Sequence, residues 1–161
     1  MKDGLSLWLE HLVWCAMGGV GESRMFGVKG EWRFAPLSPE QAKSFLVTLV
    51  SGYVQGMNSP LLLLHRSGGA WLDQCFDREK GEIDWSEDRQ RSARDKLLYA
   101  WLGDDYLPGD SQDPYIQRLM RQLEGDHVEA IIQAAQNYLL TPFSLNLAAT
   151  SEKSKRSRAA P

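Results

Sequence analysis

The stretch LSPEQAKSFLVTLVSGYVQGM, residues 37–57, places the tightest constraint on what this chain can fold into. Ser38 is a helix N-cap residue, Pro39 suits the first helical position, and Gln41 completes a capping box with Ser38. Ala42, Phe45, Leu46, Leu49, Val50 and Tyr53 then recur at helical spacing, and Gly56 supplies a stop. A helix of this length with one apolar face needs other elements to cover it.

Those elements can be read on either side. Leu5, Trp8, Leu9, Leu12, Val13 and Ala16 share one face of an earlier helix that Gly18 and Gly19 end. SRMFGV and EWRFAP, separated by Lys29 and Gly30, predict a β-hairpin. SPLLLL is extended, and GGAWLDQCF is a short helix or turn. Ala93, Leu97, Leu98 and Trp101 line a further helix that finishes near Gly103. Asp113 and Pro114 start another, with Ile116, Leu119, Met120 and Leu123 inward. Asp126 and Glu129 predict a capping box for the last, whose stripe is Val128, Ile131, Ile132, Ala135 and Leu139 and which Pro142 ends. The expectation is a helix-rich α+β domain over residues 1–148 with a small antiparallel β element. Residues 149–161 read as a basic disordered tail without an apolar pattern.

Composition narrows the function classes. A chain of 161 residues fits one domain with a real core, and 43% hydrophobic and 24% charged residues are ordinary for a soluble protein. The longest apolar candidate for a membrane span, residues 61–64, is far too short. Glu10 and His11 interrupt what would be the apolar part of a signal peptide. Two cysteines make no disulfide framework and point to a reducing, cytoplasmic setting. The tail from Ser151 sets Lys153, Lys155, Arg156 and Arg158 against Glu152, a net +3. With −3 overall, residues 1–150 therefore carry −6, so any contact with a phosphate backbone is confined to local patches.

WLEHLVWCAMGG, RFAPLSPEQA, GYVQGMNSPL, AWLDQCFD and GDSQDPYIQRL occur in an order that resembles the C-terminal part of the gamma subunit of exodeoxyribonuclease V, the RecC family. The resemblance covers roughly residues 5–140. It implies assembly with the beta (helicase-nuclease) and alpha (helicase) subunits, in a complex that processes duplex DNA ends for recombinational repair. It also implies a domain resembling the PD-(D/E)XK nuclease fold without its metal site, which shapes the DNA path and contributes to subunit contacts. No cofactor is then expected in this chain; ATP and Mg would be used by the partner subunits.

The residues themselves bear on that metal site. In KGEIDWSEDRQ, residues 80–90, the Gly-x-Ile-Asp step looks like the strand that carries the first aspartate of such nucleases, which makes Asp84 a candidate ligand. The chemistry needs a (D/E)-x-K beside it: two carboxylates hold the metal and the lysine positions the attacking water. No acidic residue has a lysine two positions on; Glu22, Glu31 and Glu87 have an arginine there, and Asp95 is followed directly by Lys96. Asp84 or Ser86 as the cap of a following helix, with Glu87 and Asp88 in its first turn, accounts for more of the stretch. His11 and Cys15 have the spacing of half a zinc site but lack a second pair, so a core histidine and cysteine are expected. The loop with Asp104, Asp105, Asp110 and Asp113 lacks a calcium-loop pattern and reads as solvated.

For DNA, the candidates are Arg24, Lys29, Trp32 and Arg33 on the hairpin and Arg89, Arg91 and Arg94, with Lys96, on the helix after Asp84. Phe26, Trp32 and Phe34 interleave with the hairpin's basic residues, and such aromatics can stack on unpaired bases or simply pack on a helix. Trp14, Trp71 and Trp101 are candidates for subunit contact. The leading expectation is a non-catalytic subunit domain; the alternatives are a stand-alone metal-dependent nuclease using Asp84 and a protein-binding module.

Overall fold

The computed structural model describes residues 2–27 and 30–148. Lys29 and the basic tail lie outside the described residues. Helices dominate, with two small antiparallel sheets, and the described residues form two units. One comprises Lys2–Tyr53 with the described residues from Pro142 onward; the other is Val54–Thr141. The architecture is α+β and helix-rich, as expected.

The first unit is built from α1 (Lys2–Ala16), β1 (Ser23–Gly27), β2 (Gly30–Phe34) and the start of α2 (Pro39–Asn58). The capping box forms: the Gln41 amide donates to Ser38 Oγ at 3.2 Å and the Ser38 amide to Gln41 Oε1 at 3.1 Å. The hairpin forms too, with Arg24 opposite Arg33 and Met25 opposite Trp32. Trp8, Leu12, Cys15, Phe34 and Ala42 make the core, and Phe45, Leu46 and Leu49 pack against it. The Trp8 ring lies 4.9 Å from Phe34 and 5.6 Å from Phe45, at the tilted angles aromatic pairs favour. Beyond Pro142, Asn146 Oδ1 accepts from the Arg33 amide at 3.0 Å and the Leu147 amide donates to the Arg33 carbonyl at 2.9 Å, which satisfies the outer edge of β2.

Burial on α1 departs from the expected stripe. Gly4, Trp8, His11, Leu12 and Cys15 are buried, whereas Leu9 and Val13 are nearly half exposed. The cause is tertiary. Trp32 lies so close to Gly4 that a Cβ there would overlap its indole. His11 is held inside by Ser23 Oγ at Nδ1 (2.8 Å) and the Ala35 carbonyl at Nε2 (2.9 Å). Along α2, Val50 and Tyr53 are likewise exposed, and the helix runs past Gly56 to Asn58.

The second unit holds α3 (Ser67–Cys75), β3 (Phe76–Asp77), β4 (Glu82–Ile83), α4 (Glu87–Leu102), α5 (Pro114–Leu119) and α6 (Gly125–Ala134). A π-helical turn, Ala135–Leu139, leads into α7 (Leu140–Ser144), whose residues from Pro142 onward belong to the first unit. Trp71 and Leu72 of α3, Ala93, Leu97 and Trp101 of α4, and Ile131, Ile132, Ala135 and Leu139 form its core. Gly68 lets α3 approach Ala135 closely; an added Cβ would sit 3.1 Å from the alanine methyl. Asp113 caps α5 by accepting from the amides of Tyr115 and Ile116, as its Asp-Pro signal predicts.

Three local expectations are corrected. The cap of α6 is not Asp126: the helix starts at Gly125 with Glu124 at the cap position, and the Glu124 amide donates to His127 Nδ1 at 3.2 Å. α5 buries no side chain, and Leu119 is exposed. Pro142 does not end the last helix but sits within α7, just after the π-helical turn that loosens the hydrogen-bond ladder a proline cannot join.

Candidate nucleic-acid interface

The hairpin places its two arginines side by side. A two-residue connection between antiparallel strands puts Arg24 directly across from Arg33, an unfavourable pairing of like charges unless an anion separates them. Glu22, just before β1, is that anion. Its Oε2 accepts from Arg24 Nη2 at 2.6 Å and from Arg33 Nε at 3.0 Å, and its Oε1 accepts from Arg33 Nη2 at 2.6 Å. The hydrogen bonds from Arg33 and then Arg24 hold the Glu22 carboxyl well below the ordinary carboxylate range, at about 2. Both guanidinium groups are thus committed to a carboxylate, although they remain partly open to solvent.

The hairpin aromatics divide by face. Phe34 is buried, Trp32 is half-buried against Phe34 and Gly4, and Phe26 is 76% exposed on the other face. Trp32 is therefore part of the packing, and Phe26 is the hairpin ring open to a base. The other basic set lies on α4. Arg89 and Arg91 are exposed, Arg91 lies 3.7 Å from Asp88, and Arg94 is paired with Glu129 of α6. The structure thus joins Arg24 with Arg33 through Glu22, and Arg89, Arg91 and Arg94 lie along α4. The bridging role of Glu22 was missed in the sequence, though hairpin register alone places Arg24 against Arg33 and so calls for a nearby acid.

Asp84 follows β4, and its surroundings are those of a turn. The Asp84 amide donates to the Cys75 carbonyl at 2.8 Å, and its Oδ1 accepts from the Ser86 amide at 2.9 Å. That bond lowers the Asp84 pKa. α4 begins at Glu87 with Ser86 at the cap position, so Asp84 sets the turn before the helix and is not the N-cap itself. Gln90 then ties the turn down, donating to the Asp84 carbonyl at 2.6 Å and accepting from Trp71 Nε1 at 3.3 Å. Asp77, Lys80, Glu82, Asp84 and the exposed Trp85 line an open cleft of about 600 Å³. Among the described residues no group of three or more His, Cys, Asp or Glu side chains is arranged to hold a metal ion.

The remaining candidates resolve by burial. His11 uses both ring nitrogens on protein partners, and Cys15 lies buried against it. Cys75 is buried as well, and desolvation pushes its thiol up to about 11, away from the thiolate that a metal or an electrophile would need. In the acidic loop Asp110 is not solvated: it is 7% exposed, and its Oδ2 accepts from the Ser67 amide at 2.9 Å and from Ser67 Oγ at 2.6 Å. Of the tryptophans considered for subunit contact, Trp71 and Trp101 are buried in the core, whereas Trp14 is 54% exposed. Trp85, exposed at the cleft, carried no periodic signal that would have marked it.

Comparison with known proteins places this arrangement. Residues 1–76 match the family described as the RecC C-terminal domain. RecBCD enzyme subunit RecC of Escherichia coli (strain K12) is 47% identical over 147 residues, 91% of this chain and 13% of that protein. RecBCD enzyme subunit RecC of Buchnera aphidicola subsp. Schizaphis graminum is 38% identical over 143 residues, 88% of this chain and 13% of that protein. The chain thus spans 13% of the length of these curated relatives. No helix among the described residues is long and apolar enough to cross a membrane. The chain belongs to the RecC family, through that protein's C-terminal domain.

Proposed function

We propose that the chain is a non-catalytic domain of a RecBCD-type helicase-nuclease, acting in subunit assembly and in shaping the path of DNA during recombinational repair of double-strand breaks. The observation that carries this reading is the 47% identity to a RecBCD enzyme subunit across 91% of the chain. Its partners are the beta and alpha subunits of exodeoxyribonuclease V, which use ATP and magnesium, and its setting is the cytoplasm. The residues offered to DNA are the hairpin set Arg24, Lys29 and Arg33 with Phe26, and the α4 set Arg89, Arg91 and Arg94. Exposure of Phe26, Arg89 and Arg91 supports that assignment; the Glu22 bridge tempers the hairpin arginines.

The competing reading, a metal-dependent nuclease with Asp84 in its site, lacks a (D/E)-x-K in the sequence, and Asp84 is engaged in a turn. The two readings separate in one assay. Incubated with linear duplex DNA and magnesium, the purified chain is expected to leave the DNA intact. Degradation that Asp84→Ala abolishes would replace the subunit reading with the nuclease one.

A further inference from the structure

The long helix α2 is apolar on two faces. Ala42, Phe45, Leu46 and Leu49 belong to the core cluster of the first unit. Val47, Val50, Val54 and Met57 fall at i, i+3, i+7 and i+10 of the same uninterrupted helix, and these side chains are 51–70% exposed. That alternation is the a/d seam by which one helix packs lengthwise on another, with β-branched valine at the a positions. The sequence around it agrees: from Ser44 to Leu64 there is no Asp, Glu, Lys or Arg. A helix face made for water carries charge, whereas the centre of an interface is depleted of it.

The occupant follows from the size and setting of the seam. A helix apolar all round belongs in a membrane or in the interior of a large protein. The first setting does not apply, because no helix among the described residues is long and apolar enough to cross a membrane. A second copy or a freely diffusing protein fits poorly. A standard interface engages about 20–30 residues a side, and the seam offers four along roughly 15 Å of helix. A helix tethered to the domain by the polypeptide needs far less contact, since its docking is intramolecular. The relatives carry such chain: the segment matched here is 13% of Escherichia coli RecC.

We propose that the outward seam of α2 is the surface on which the rest of a RecC-type subunit packs, through an uncharged helix face bearing branched apolar residues at the same heptad spacing. The inference rests on the RecC reading. It goes beyond that reading by naming a contact made inside the subunit, independent of the beta and alpha subunits.

The test compares the full chain with an Escherichia coli RecC subunit in which this chain replaces the matching segment. Each carries Val50→Cys, Val54→Cys or, on the polar and exposed side of α2, Gln55→Cys. Maleimide labelling of each introduced cysteine is timed by peptide mass spectrometry; the native Cys15 and Cys75 are buried. In the chain alone all three positions should label at similar rates. In the hybrid subunit without its partners, Val50→Cys and Val54→Cys should slow at least about tenfold, as for groups reached only through local opening, while Gln55→Cys is unchanged. Equal labelling of all three in the hybrid would overturn the proposal. So would protection that appears only when the beta and alpha subunits are added, which makes a partner subunit the occupant, or protection that rises with the concentration of the chain alone, which makes it a second copy. Val50→Glu in the chain alone gives a check that needs no hybrid. Its urea unfolding midpoint should stay in place, and a marked drop would mean that the chain itself already covers the seam. Failure of the hybrid to bind the other subunits would count against the subunit reading and leave the labelling result intact.

Discussion

The Glu22 carboxylate grips the Arg33 guanidinium at two points, Oε1 to Nη2 at 2.6 Å and Oε2 to Nε at 3.0 Å, and shares Oε2 with Arg24. One acid thus bridges two cross-strand arginines that would otherwise repel each other, and offsets part of the positive charge the hairpin would present to polyanions.

This bridge has a pH signature. The folded-state pKa of Glu22 is lowered from 4.5 to about 2, so its contribution is fully present above 4.5 and is lost as pH falls through about 2. A titration of the hairpin amides by NMR should show a transition centred near 2, and Glu22→Gln should remove it. A midpoint at the ordinary carboxylate value would mean that the bridge does not form in solution.

Glu22→Gln should also release both guanidinium groups toward DNA. Binding of single-stranded DNA by the chain is expected to strengthen at low salt. Its salt dependence should steepen by up to about 0.7 in log–log slope for each arginine that gains a phosphate. Fluorescence anisotropy across a salt series measures this. An unchanged slope would remove Arg24 and Arg33 from the DNA-facing set and leave the α4 arginines.

The contact between Gly4 and Trp32 sets a packing limit. Gly4→Ala forces its methyl into the Trp32 ring and should destabilise the protein by about 1–3 kcal/mol in chemical denaturation, the usual cost of overpacking. Combining it with Trp32→Leu should recover part of the loss. Full stability of Gly4→Ala alone would show that the indole sits elsewhere.

Asp110→Ala leaves the buried Ser67 amide and hydroxyl without their acceptor. A loss of about 1–3 kcal/mol is expected by urea unfolding. Asp104→Ala, in the exposed part of the same loop, should cost less. Comparable losses for the two variants would argue against the Ser67 clamp.

How much of this could be read in advance follows the range of the interactions. The Ser38–Gln41 box, the Asp113 cap and the hairpin register depend on residues a few positions apart, and they are legible in the sequence. The rotation of α1 depends on Ser23, Ala35 and Trp32, partners up to 28 positions away from the helical residues they meet, and no helical period encodes it. Asp110 looked like one more loop acid because Ser67, 43 residues away, is invisible to local reasoning. For the candidate interface, the arginines were legible as charges, but their state depends on Glu22, whose role emerges once the strands are paired. Asp84 illustrates the reverse: its helix-start setting was legible, with Asp84 or Ser86 as the cap, and the structure puts Ser86 at the cap position and Asp84 in the preceding turn.

The central claim is membership of a RecBCD-type assembly, and an exchange tests it most directly. Replacing the matching segment of an Escherichia coli RecC subunit with this chain, then co-expressing the hybrid with tagged beta and alpha subunits, reports assembly by co-purification and function by ATP-dependent degradation of linear duplex DNA. The account predicts a stable three-subunit complex with activity retained. A hybrid that is soluble and folded but fails to co-purify with either subunit would contradict it.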